Sequence, residues 1–237
     1  MQKNVLESKS VFSPAYWREA AMQLKSVRML CIAALFIALR VAIKSFFIPV
    51  GENINIYFGY LVNALGAIIY GPVVALISAA VTDTLGALIS QTSSGPYFFP
   101  FIFVEMSGSL LYALILWRRK LSAERIICSR FFVTVFTNII LNPIIMIWYY
   151  AWLNNGKSYA FITIPRVIKN AALFPAEACL LVIFLSAMTP ALSRLHFISA
   201  EQSKPVMTAK HYVLLGILTV VAIAAVLLYI FVYLPNK

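Results

Sequence analysis

Apolar stretches at about 29–49, 57–70, 73–91, 97–117, 130–153, 161–190 and 211–234 dominate this chain of 237 residues. In lipid a backbone must satisfy its own hydrogen bonds, so segments of this kind span only as helices unless they close into a barrel. The expected fold is therefore an all-α membrane protein, with a six-helix transmembrane bundle and one extra C-terminal transmembrane helix. The joints between stretches fit that expectation. Tyr70-Gly71-Pro72 and the Gln91 to Pro96 segment are turn sequences, and Asn154 to Ser158 is polar.

Charge orients the bundle. The net charge is +11, with 19 Lys and Arg against 8 Asp and Glu. Lys3, Lys9, Arg18, Lys25 and Arg28 precede the first span; Arg118, Arg119, Lys120, Arg125 and Arg130 fill one loop; Arg194, Lys204 and Lys210 fill another. Basic residues on alternate loops mark the cytoplasmic side, which explains the charge without nucleic acid. The organisation expected is a cytoplasmic leader over 1–28 with a short interfacial helix from Ser13-Pro14, then a substrate-binding bundle over 29–190. A cytoplasmic linker over 191–210 and a last helix within 211–237 follow, which puts the amino terminus inside and the carboxyl terminus outside. A charged, long amino-terminal region and Arg40 within the first span argue against a cleaved signal. Cys31, Cys128 and Cys179 have no paired spacing and read as packing residues.

The first span has two faces. Ala34, Ala38 and Ala42 recur every four residues, and Arg40 lies roughly 200° round the helix from its alanine neighbours. Small residues allow close helix approach in lipid, so the alanines are a candidate docking seam. Arg40 and Lys44 then face a protein interior. They join other ionisable groups at membrane depth: Asp83, Glu105, Arg166, Lys169 and Glu177. Such groups are costly in lipid and mark function by default. Span five adds Thr134, Asn138 and Asn142 at spacing four, and Arg166, Asn170 and Glu177 share a face of span six. By depth, Lys44, Arg166 and Lys169 fall in the outer half, and Arg40, Asp83, Glu105, Asn142 and Glu177 nearer the midplane. Tyr57, Phe58, Tyr97, Phe98, Phe99, Trp148, Tyr149, Tyr150 and Trp152 crowd the same outer end. Rings beside amides and cations suit a planar heteroaromatic ligand with carboxylates. Other readings stay open. The rings could form the interfacial belt, Arg166 and Lys169 could snorkel to headgroups, and the buried acids and bases could be structural pairs.

The chain has no phosphate-binding loop, nucleophile elbow or zinc-protease motif, and its only histidines, His196 and His211, lie outside the six spans. No enzyme, cofactor or metal site is expected. If the bundle moves a substrate, ion coupling or ATPases on other subunits must supply the energy.

Several segments together resemble the substrate-binding S components of energy-coupling factor (ECF) vitamin transporters, most nearly their folate family. They are Tyr57-Phe58-Gly59-Tyr60, Ala64 to Pro72, Asp83-Thr84-Leu85-Gly86, Gly95 to Pro100, Leu141-Asn142, and Arg166 to Asn170 followed by Pro175 and Glu177. With the alanine series they cover about 29–190. The resemblance implies a small vitamin site on the outer half of the bundle, a bacterial plasma-membrane location, a transmembrane scaffold subunit and two cytoplasmic ABC ATPases as partners. It implies delivery by ATP-driven toppling of the whole subunit. Arg40, Lys44, Tyr57, Asp83, Tyr97, Phe98, Glu105, Asn142, Trp148, Arg166, Lys169 and Asn170 are then the expected ligand-binding residues. Residues 191–237 exceed the family pattern, and Ala171-Ala172 replaces bulkier residues of folate members. Riboflavin, pantothenate, a thiamin precursor and a queuosine precursor are the alternative ligands; a membrane sensor or enzyme is the alternative class.

Overall fold

A computed structural model describes residues 10–44, 46–51, 54–89, 96–153, 159–161, 163–199 and 202, with scattered positions between 210 and 224. The expected seventh span, the 191–210 linker beyond its first part, and the joints at 91–95 and 154–158 therefore lie largely outside the described residues. The helices are α1 (Pro14–Met22), α2 (Val27–Lys44), α3 (Gly59–Ile89), α4 (Phe101–Leu116), α5 (Ala123–Phe132), α6 (Asn142–Leu153) and α7 (Ile164–Arg194). Two strands, β1 (Phe47–Gly51) and β2 (Ile54–Tyr57), pair antiparallel between α2 and α3. Ala123–Leu153 and Ile164–Arg194 are each long and apolar enough to cross a membrane; Gly59–Ile89 is as apolar but reaches that length only by joining two helices at Gly71.

The α3 stretch is two arms rather than one rod. Gly59, Tyr60, Gly86 and Ala87 line a single cavity. In a straight helix positions this far apart would be separated by about 40 Å. The chain reverses at Gly71, where φ is 75° and ψ is −178°, a conformation open essentially to glycine alone. A Cβ there would also stand 2.5 Å from the Trp117 ring. Across the turn, the Tyr70 and Ser78 hydroxyls meet at 3.2 Å. Gly71→Ala combines backbone strain with overpacking, so it should destabilise the protein by roughly 2–4 kcal/mol. A melting temperature equal to that of the unaltered protein would contradict this reading of the turn.

At the end of the bundle that carries Arg118 and Arg119, α1 and the turn after it meet α2 at 83°. The Tyr16 ring packs edge-on to Trp117 at 5.1 Å, and Arg118 pairs with Glu19 at 2.7 Å. The chain after α7 also packs here. Ile198 and Gln202 are buried, Gln202 Nε2 donates to the Arg119 carbonyl at 3.1 Å, and Arg28 Nη2 donates to that of Leu195 at 2.6 Å. The first part of the linker is thus docked. Cys179 Sγ lies 3.6 Å from Thr219 Oγ1, which places Thr219 against α7.

Several elements differ from the sequence reading, two of them by many residues. The first span ends at Lys44, and the apolar residues after it become the β-ribbon. Span five begins at Ala123 instead of 130, with Ser122 Oγ accepting from the Arg125 amide at 3.2 Å as its cap. Between α5 and α6 the helix widens into a π-helical stretch, Val133–Leu141.

Candidate functional site

A cavity of about 1000 Å³ opens among α2, both arms of α3, α4, the α5–α6 helix and α7. Its polar wall begins on α2, where Arg40 is almost completely buried. Arg40 Nη2 donates to Glu105 Oε2 at 2.8 Å; Lys44 Nζ lies 3.4 Å from Asp83 Oδ1 and 3.6 Å from Glu105 Oε1. The two bases are four residues apart on one α2 face, so one turn presents both to α3 and α4. Gly86 leaves room for the lysine: a Cβ there would stand 3.1 Å from Lys44 Nζ. Arg40 Nη1 and Asp83 Oδ2 stay buried without a hydrogen-bond partner. An unmade bond at this depth is expensive, so water or ligand reaching these atoms recovers free energy.

A second ionic group joins α5 to α7. Arg130 directs Nε (3.2 Å) and Nη2 at Glu177 Oε2, and Nη1 at the Tyr112 hydroxyl (3.1 Å). Its guanidinium lies 4.2 Å from the centroid of the Tyr60 ring, whose hydroxyl donates to the Glu177 carbonyl at 3.1 Å. Tyr60, Tyr112, Arg130 and Glu177 all line the cavity. Arg130 was expected in a cytoplasmic loop; the structure buries it because Glu177 and Tyr112 satisfy its donors.

Lining the cavity, Arg40, Lys44 and Arg130 face Asp83, Glu105 and Glu177. Among the described residues, the three cations and three anions balance. Arg166 and Lys169, the other bases expected at membrane depth, do not reach the cavity wall. Arg166 instead lies 4.9 Å from the Tyr159 ring centroid, and that ring stacks on Tyr150 at 5.5 Å.

The remaining wall is aromatic and amide. Tyr57 from β2 and Tyr97 and Phe98 from the segment before α4 stand on it, with Tyr149 and Tyr150. Phe98 is buried, its ring centroid 5.5 Å from those of Trp148 and Tyr149 and 5.3 Å from that of Trp152. Trp148 itself lies outside the cavity and is 54% exposed. Asn142 is on the wall, as are Thr137 and Asn138; Thr134 is not. The π stretch explains that shift, because its longer repeat moves the inward stripe off the α-helical spacing of four. Asn170 stands behind the wall and accepts from Asn138 Nδ2 at 3.3 Å. Of the twelve expected binding residues, Trp148, Arg166, Lys169 and Asn170 are thus outside the lining. Tyr60, Asn63, Tyr112, Arg130, Thr137, Asn138, Met146 and Glu177 are on it without having been expected as binders. Membrane depth and side-chain polarity had signalled Asn138 and Glu177; Tyr60 had entered only as part of the Tyr57 to Tyr60 segment of the resemblance, and nothing local distinguished Met146.

On the outer surface of α2, Ala34, Ala38 and Ala42 are all exposed, opposite buried Ala33, Phe36 and Arg40.

The family model for the ECF-type riboflavin transporter, S component, matches residues 24–189. The folate transporter FolT of Clostridium novyi (strain NT) is 28% identical over 157 residues, covering 65% of this chain and 86% of that protein. The folate transporter FolT of Leuconostoc mesenteroides subsp. mesenteroides is 33% identical over 153 residues, covering 63% and 80%. Among solved structures, FolT bound with folic acid superimposes with a TM-score of 0.53 at 25% identity, over 64% of this chain and 88% of that one. With a helical membrane bundle built around a ligand-sized cavity, and a family match over most of its length, the chain belongs to the S components of ECF-type transporters, which are membrane transport subunits and not enzymes.

Proposed function

We propose that this protein is the substrate-specificity subunit of an ECF-type ABC importer. It captures a folate-like vitamin from outside the plasma membrane and delivers it with a membrane scaffold subunit and two cytoplasmic ATPases. The amino terminus is then cytoplasmic and the carboxyl terminus extracellular. The folate reading draws on the similarity to proteins named folate transporters and to the folic acid complex.

The observation that carries the ligand class is the chemistry of the cavity wall. At about 1000 Å³ it is at the roomy end for a small-molecule site. Its aromatic side offers flat surfaces, while Arg40 and Lys44 supply donors and Asp83 and Glu105 acceptors at its polar side. A heterocycle carrying both ring N–H and carbonyl groups can answer both. The charge balance of the wall favours a neutral ring system inside, with carboxylates left towards the mouth. The family model's description favours riboflavin as the second reading; a flavin has a comparable ring but no carboxylates.

Folic acid titrated into the purified protein should quench tryptophan fluorescence with one-to-one stoichiometry, since Trp148 and Trp152 pack round Phe98 on the wall. Arg40→Met should raise the dissociation constant by about 10- to 100-fold, the size of a lost charge-assisted hydrogen bond. Saturable binding of riboflavin and none of folic acid would replace the folate reading with the flavin one.

A further inference from the structure

The orientation of one amide on the cavity wall is fixed from behind, and that fixes what it can recognise. Asn170 Nδ2 donates to the Arg166 carbonyl, one turn earlier on α7, at 2.9 Å. A backbone carbonyl only accepts, so this bond pins the nitrogen end of the Asn170 side chain. Asn170 Oδ1 is consequently the end that meets Asn138, and it accepts from Asn138 Nδ2 at 3.3 Å. Asn138 cannot turn its amide round without setting two oxygens against each other. One of its N–H groups is committed to α7, and its Oδ1 lies on the other branch of the side chain. Asn138 lines the cavity and Asn170 does not.

We infer that Asn138 selects for a hydrogen-bond donor on the ligand, a ring or exocyclic N–H, and that Asn170 is the positioning residue that sets this polarity. The inference rests on the folate-like reading only for the choice of probe. The π-helical stretch contributes by bringing Asn138 onto the same wall as Thr137, its immediate neighbour. Two successive side chains share a direction more readily there than in an α-helix, because the wider turn rotates less per residue.

The test is a double-mutant cycle on the full chain in detergent, read by folic acid binding and by melting without ligand. Asn138→Leu and Asn170→Leu should each weaken folic acid binding by about tenfold, and the double variant by about tenfold rather than a hundredfold. Asn138→Asp sets an oxygen against Asn170 Oδ1, so it is read in the Asn170→Leu background, where both its oxygens accept and none needs a partner to orient it; there it should bind folic acid more tightly than the double-leucine variant. Equal binding by those two would overturn the inference; so would losses that multiply in the double-leucine variant. If folic acid fails to bind the unaltered protein, the folate reading falls. The ligand-free melting temperatures then decide: non-additive shifts uphold the coupled amides, and additive shifts overturn them.

Discussion

Arg130→Leu is expected to remove most of the folded protein from the membrane. The substitution leaves Glu177 buried without its partner and takes a donor from the Tyr112 hydroxyl. Breaking one side of a buried ion pair costs about 3–5 kcal/mol, because the surviving charge is uncompensated. That is a large share of the stability of an ordinary domain. The double variant Arg130→Leu with Glu177→Leu removes both charges and should recover much of the loss. Yield and melting temperature after detergent extraction read both effects. A single variant as stable as the starting protein would mean the pair holds nothing together, and its place on the cavity wall would then need another account.

Arg130 also shows how much of the molecule the sequence made legible. The apolar stretches and the alternation of basic loops located the bundle, the short second span and its turn at Gly71. They misplaced the start of span five by seven residues, because hydropathy counts every charge as a mark of water. Arg130 is a charge whose partner is 47 residues away, on a helix that no local pattern connects to it. The β-ribbon was missed for the converse reason. Phe47 to Val50 continue the apolar run of α2, and only pairing with Ile54 to Tyr57 turns them into a strand. The polar site was legible at Arg40, Lys44, Asp83 and Glu105, where buried charge in lipid leaves few alternatives. It was not legible at Arg166 and Lys169. Their place along α7 puts them in the outer half with the aromatic wall, but their position round the helix keeps both out of the cavity lining.

Ala38→Trp should abolish vitamin uptake in cells while leaving binding by the purified subunit unchanged. Ala34, Ala38 and Ala42 are exposed on α2 and turned away from the core residues Ala33, Phe36 and Arg40. Close packing of membrane helices depends on small residues at the contact, and an indole there holds the partner helix off. None of the three alanines lines the cavity, so the ligand's environment is preserved. Uptake of radiolabelled folic acid, measured with the scaffold and ATPase subunits co-expressed, reads the first effect; titration of the detergent-purified subunit reads the second. Lost binding with lost uptake would mean that the stripe supports the bundle itself. Unimpaired uptake would place the docking face elsewhere.

The most direct test of the central claim is native mass spectrometry of the subunit released from membranes of cells grown with folic acid. A cavity with aromatic walls and a polar side of paired acids and bases predicts one bound small molecule per chain, with the mass of a folate. A flavin in its place, or a chain that stays empty after saturation with folic acid, would contradict it.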